Sequence, residues 1–154
     1  MEYKRISEIL TQNAECTLMG SLCLSFQHPE ILKKSPSDAD FYASDELANI
    51  LKIIDILKNN GYEVYSWQDK INEKFDFALL KGRFYIRGIR DRKNIDITYE
   101  IDELDYNLMK VHQIEIQGIK MYDTQGLMIL LSKSDKEKNK IQLEKLAKKT
   151  GLLK

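Results

Sequence analysis

The chain has 154 residues, of which 43% are hydrophobic and 31% charged, enough to bury roughly 70% of the surface its unfolded form exposes. Its 24 basic and 24 acidic residues cancel, which excludes a global field for nucleic acid or anionic lipid and leaves any polyanion to a local patch. No apolar run is long enough to span a bilayer, and "MEYKRISEIL" lacks a signal peptide's apolar centre, so one domain without a membrane partner is expected, with the cytoplasm as its location.

Ile6, Ile9 and Leu10 recur at helical spacing and predict a first helix over residues 3–13. "CTLMG" reads as a short buried strand ending at Gly20, after which Ser21 is placed to cap a short helix over "SLCLSF". Pro29 and Pro36 mark "HPEILKKSPS" as an irregular turn, and "DADFYAS" alternates as a second strand. Ser44 then precedes Leu47, Ile50, Leu51, Ile54 and Leu57, a serine-capped amphipathic helix stopping near Asn60–Gly61. "YEVYSW" is a third strand. "KFDFALLKGRFYIRGIR" predicts a hairpin turning at Lys81–Gly82.

"NIDITYEI" is the cleanest strand, with Ile95, Ile97, Tyr99 and Ile101 on one face and Asp96, Thr98 and Glu100 on the other. A short helix over 103–110 follows, then "HQIEIQGIKMYD" as a strand or hairpin with Gly118 at its turn. "TQGLMILLSK" and "DKEKNKIQLEKLAKK" read as two closing helices, the lysines of the second forming a solvated face. The sum is a mixed α/β (α+β) domain, a mixed sheet of four to six strands flanked by helices. Its core spans about 14–122 and its closing helices about 123–150. Cys16 and Cys23 are expected to be buried, reduced thiols, and His28 and His112 to be loop or strand-end residues.

The chemistry rests on the acids. Asp38 and Asp40 are two residues apart on a strand, so both point to one face with backbones about 6.5 to 7 Å apart. Like charges so close raise a pKa unless a cation intervenes, and hard divalent ions take carboxylate oxygens together with substrate phosphate. Asp96 is the best third acid, with Glu100 on the same face as the alternative. Gly20 lets backbone N–H groups approach phosphate, and Ser21 opens a helix whose N-terminus favours an anion. The bland alternative is a solvated strand edge. For "RFYIRGIRDRK", edge protection and a phosphate contact from Arg87, Arg90 or Arg92 both stay open. Trp67, Tyr62 and Tyr65 are read as strand packing ahead of a base-stacking platform.

The order "MGS…DAD…IDI" resembles the nucleotidyltransferase fold of the DNA polymerase beta-like superfamily, above all its small bacterial members, over residues 16–101. The resemblance implies that Gly20 and Ser21 hold a nucleoside triphosphate and that Asp38 and Asp40 bind metal. It gives Asp96 a share of the metal or the acceptor's proton, and sets Ser37 and Lys133 beside the nucleotide. It implies two Mg²⁺ ions, an NTP substrate and transfer of a nucleoside monophosphate to an acceptor hydroxyl on a small molecule, RNA or protein. A non-catalytic binding module acting with a partner protein is the alternative. The short chain also points to a homodimer or partner completing the acceptor wall. Two departures stand out. The interval between Gly20 and Asp38 is long and carries Lys33 and Lys34, and Asn139 and Gln142 stand where relatives place aspartates.

Overall fold

The computed structural model describes residues 3–151. The chain opens with α1 (Lys4–Asn13), β1 (Cys16–Met19), α2 (Gly20–Gln27), β2 (Asp38–Ala43) and α3 (Leu47–Asn59). Four strands follow: β3 (Glu63–Ser66), β4 (Asp69–Lys70), β5 (Tyr85–Arg90) and β6 (Lys93–Thr98). It closes with α4 (Tyr106–Met109), β7 (Gln113–Ile116), β8 (Ile119–Tyr122), α5 (Thr124–Ser132) and α6 (Glu137–Lys149). One-turn 3₁₀ helices at Pro29–Ile31, Phe77–Leu80 and Lys110–His112 join them.

All strands enter one mixed sheet in the order β4-β3-β5-β6-β2-β1-β8-β7. The sheet is thus wider than the four to six strands expected, because β4 is a two-residue edge strand and "HQIEIQGIKMYD" takes the hairpin alternative, supplying both β7 and β8. β2 runs parallel to β6 and β1 parallel to β8; the remaining pairs are antiparallel. Ala39 and Phe41 pair with Ile95 and Ile97, and all four are fully buried on one face. That face meets α3 where a Cβ at Gly88 would lie 3.3 Å from Leu57. Ile50, Ile53, Ile54 and Leu57 form the buried stripe of α3, each side chain contributing about 1.5–3 kcal/mol. The opposite face carries the acids, and residues of α2, α5 and α6 surround a cavity with them.

Three local expectations fail. The hairpin at Lys81–Gly82 does not form. Phe77–Leu80 winds into a 3₁₀ turn capped by Asp76, whose carboxylate accepts from the Ala78 N–H at 3.0 Å. The Glu100 carboxylate accepts the Gly82 and Phe84 N–H groups, each at 2.9 Å, so a side chain rather than a strand satisfies that backbone. The hairpin partner of β5 is instead β6, turning at Asp91 and Arg92, whose φ values are +50° and +66°. Ser21 is not a cap either, since it lies inside α2, whose N-cap position is Met19. Ser44 likewise precedes the true N-cap of α3, Glu46. The Ser44 N–H donates to the Glu15 carbonyl just before β1 at 3.1 Å, and the Ser44 carbonyl accepts from the Asn49 side chain of α3 at 3.1 Å, so its backbone joins the two elements.

Both cysteines are buried and free, and burial pushes the Cys23 thiol up to about 12. Among the described residues no helix is long and apolar enough to cross a membrane.

Candidate active site

Register brings the acids together. In the parallel β2–β6 pair Asp40 stands opposite Asp96 and Asp38 opposite Asn94, so Asp38, Asp40 and Asp96 share one face on adjoining strands about 4.8 Å apart. On the other side of β2, Met19 pairs with Asp40, and the chain turns at Gly20 into α2. Gly20 has φ +70°, and a Cβ there would lie 2.9 Å from Asp40 Oδ2. Only glycine lets the start of α2 rest against that carboxylate. The first N–H groups of a helix lack intrahelical partners, and no side chain caps those of α2.

The electrostatics follow from this crowding. Burial first, then the Asp96 and Asp38 charges, push the Asp40 carboxyl up to about 6, while Lys136 and Lys138 pull it down. Asp96 is held differently. Arg87, its partner on β5, donates from Nε to Oδ1 at 2.6 Å and from Nη2 to Oδ2 at 3.1 Å, a bidentate pair. Among the described residues no three acidic, His or Cys side chains form a ready-made metal cage. The donor chemistry nonetheless suits Mg²⁺, which is usually held by one or two carboxylates plus substrate phosphate. Asp38 and Asp40 supply two such carboxylates, whose mutual repulsion a cation would relieve.

A cavity of about 390 Å³ opens above the acids. Asp38, Asp40, Asp96 and Thr98 form its floor, Gly20 and Ser21 one side, and Leu127, Leu130 and Leu131 of α5 an apolar wall. Lys133, Lys136, Lys138 and Asn139 reach it from the α5–α6 corner. The cavity therefore has an acidic floor and a basic rim.

Six of the seven residues singled out in the sequence line this cavity: Gly20, Ser21, Asp38, Asp40, Asp96 and Lys133. Lys133 is engaged, its Nζ donating to Glu103 at 3.1 Å. Ser37 lines an adjoining cavity instead, and its carbonyl accepts the Tyr3 hydroxyl at 2.7 Å. Glu100 lies outside, spent on the Gly82 and Phe84 N–H groups. The arginines separate: Arg87 enters the site, whereas Arg90 donates to the Asn60 carbonyl at 2.8 Å and lies over the Tyr62 ring. No stacking platform assembles from Trp67, Tyr62 and Tyr65. Tyr62 is buried, Tyr65 donates to Glu63, and Trp67 lies outside the core, donating its indole N–H to the Arg83 carbonyl and packing its ring on Tyr85 of β5. Thr98, Lys136 and Lys138 were missed as site residues. Thr98 was detectable, since period-two alternation puts it on the Asp96 face.

No family model and no curated protein matches the sequence. Solved structures do. The Megavirus polyadenylate synthase aligns over 99% of this chain and 32% of its own, with a TM-score of 0.59 and 17% identity. A "putative nucleotidyltransferase" from Helicobacter pylori aligns over 96% of this chain and 66% of its own, at TM-score 0.55 and 14% identity. JHP933 from Helicobacter pylori gives 96% and 64%, at TM-score 0.52 and 13% identity. The chain thus spans from about a third to just under two thirds of the length of these proteins. At these identities the likeness concerns architecture: the chain has a nucleotidyltransferase-like fold.

Proposed function

We propose that the chain is a Mg²⁺-dependent nucleotidyltransferase, moving a nucleoside monophosphate from an NTP to an acceptor hydroxyl. The observation that carries the reading is the in-register pairing of Asp40 with Asp96 beneath the glycine-initiated start of α2, inside one cavity. The free N–H groups of α2 and the Ser21 hydroxyl would bind the phosphates, with Lys136 and Lys138 facing them from the rim. Leu127, Leu130 and Leu131 would exclude water along one wall.

Magnesium, when bound by Asp38 and Asp40, would supply charge neutralisation and a more acidic acceptor hydroxyl. In the transfer the acceptor oxygen attacks the α-phosphorus, the bond to the bridging oxygen breaks, and pyrophosphate leaves. The hydroxyl proton passes to a carboxylate on the floor. Arg87 donates to both Asp96 oxygens, each of which keeps a further lone pair, so the guanidinium orients that carboxylate in the floor without filling it. A homodimer or partner protein would complete the acceptor wall.

The Arg87–Asp96 pair also favours a second reading, a binding module without turnover, since an acid already paired with a protein cation has less need of metal. Incubation with each α-labelled NTP, Mg²⁺ and cell extract separates the two. Label transfer that disappears in Asp40→Asn supports the enzyme. Tight nucleotide binding with no transfer supports the module, and neither binding nor transfer refutes both.

A further inference from the structure

A second cavity of about 390 Å³ adjoins the first and shares Ser21 and Lys138 with it. Residues 31–37 build one side, within the stretch that lengthens the interval between Gly20 and Asp38, and α6 builds the other. Ile31, Pro36 and Ile141 make its walls apolar. Lys33, Lys34 and Lys145 stand around them with Lys138, no acidic side chain lines the cavity, and none of the four ammonium groups is in an ion pair among the described residues. Like charges gathered round one pocket repel until an anion enters.

The seam between the cavities holds a second sign of a ligand. Gln142 is 6% exposed and donates from Nε2 to Ser21 Oγ at 3.3 Å, yet its buried Oε1 has no hydrogen-bond partner among the described residues. An arriving hydroxyl or amine would satisfy it. The surplus of lysine is not needed for a triphosphate on the acid floor, which has α2, Lys136 and Lys138 beside it. Continuity is also built in, because Ser37 lines the second cavity and the next residue, Asp38, lines the first.

Resting on the nucleotidyl-transfer reading, we propose that this second cavity is the acceptor subsite and takes a nucleoside phosphate whose free hydroxyl faces the acids. That chemistry is met by a mononucleotide or by the 3′ end of a nucleotide chain. The test is anisotropy of a short fluorescent oligoribonucleotide in EDTA, without NTP, for the wild type and for Lys33→Ala/Lys34→Ala/Lys145→Ala. The triple variant should bind roughly tenfold more weakly, with a log–log salt slope smaller by about two, while its Mg²⁺–ATP affinity is unchanged.

Displacement of the oligonucleotide by AMP at comparable concentration identifies the mononucleotide as sufficient; resistance to AMP identifies the chain end. If the wild type binds neither, or if Mg²⁺–ATP affinity falls in parallel in the triple variant, the cavity is no acceptor subsite and the proposal is overturned. Asp40→Asn keeps the two readings apart. It should lose Mg²⁺–ATP and retain the oligonucleotide, so oligonucleotide binding without transfer by the wild type would overturn the catalytic reading and leave the cavity as a nucleotide-binding site with no acceptor role.

Discussion

Replacing Gly20 with alanine tests whether the close approach of α2 to Asp40 is built into the backbone. Two penalties apply. At φ +70° a non-glycine residue costs about 1–2 kcal/mol. The new Cβ also lies 2.9 Å from Asp40 Oδ2 and 3.1 Å from Asp40 Cβ. The carboxylate oxygen can rotate away. The Cβ cannot, because β2 is fixed by its pairing with Met19 on one side and Asp96 on the other. Overpacking of that kind adds about 1–3 kcal/mol.

Gly82→Ala is the control. Gly82 has φ +86° and nothing within 4 Å of an added Cβ, so it bears the backbone penalty alone. In a domain of this size, Gly20→Ala should therefore melt about 2 to 12 °C below Gly82→Ala by circular dichroism. Its Mg²⁺–ATP binding should fall at temperatures where it is still folded. Equal melting temperatures for the two variants would refute the argument that the helix start rests on Asp40.

Asp40 also predicts a pH dependence with a definite sign. Its carboxyl rises from 3.8 to about 6 on folding, which corresponds to about 3 kcal/mol. The folded state therefore holds its proton where the unfolded state has lost it, so this stability is full below 3.8 and is lost as pH rises through 6. Urea midpoints of the wild type relative to Asp40→Asn should decline across that window; a constant difference would contradict it. Arg87→Met should destabilise by about 1–2 kcal/mol and, by freeing Asp96, strengthen Mn²⁺ binding measured by paramagnetic relaxation; weaker Mn²⁺ binding would assign Arg87 a ligand-positioning role instead. Glu100→Gln should cost about 1–2 kcal/mol through the Gly82 and Phe84 N–H groups while leaving Mg²⁺–ATP affinity unchanged, and a loss of affinity would return it to the site.

The parts of the fold legible in the sequence are those set by neighbours in the chain. Alternation placed Asp38, Asp40, Asp96 and Thr98 on their strands, and the apolar stripe of α3 and the turn at Gly118 were equally plain. What distant residues decide was hidden. Nothing local says that β2 and β6 pair in parallel with Asp40 opposite Asp96, since α3 and three further strands intervene. The false hairpin shows the same limit: Gly82 does adopt a left-handed φ, but Glu100, eighteen positions away, takes the backbone donors a partner strand would have needed. Lys136 and Lys138 are exposed, as a solvated face requires, but a helix pattern gives no hint that they stand on the rim above the acids. For Arg87 edge protection and a phosphate contact both stay open in the sequence, and its pairing with Asp96 appears only once β5 and β6 are in register.

The charges of the first cavity are separated by layer, and that separation bears on how a ligand would enter. The carboxylates lie on the sheet, one of them neutralised by Arg87, while Lys136 and Lys138 sit on the rim. Those lysines pull Asp40 down, yet burial and the two other acids still hold it at about 6, so the rim does not neutralise the floor. A polyphosphate arriving alone would meet the lysines and then face the carboxylates beneath. A divalent cation arriving alone would find Asp38 and Asp40 but compete with Arg87 for Asp96. Only an anion and a cation together match both layers, with phosphate against the α2 N–H groups and the lysines, and the metal below. On the proposed reading, then, each component raises the affinity for the other, and the acid floor acts as a filter for nucleotide that comes already paired with metal.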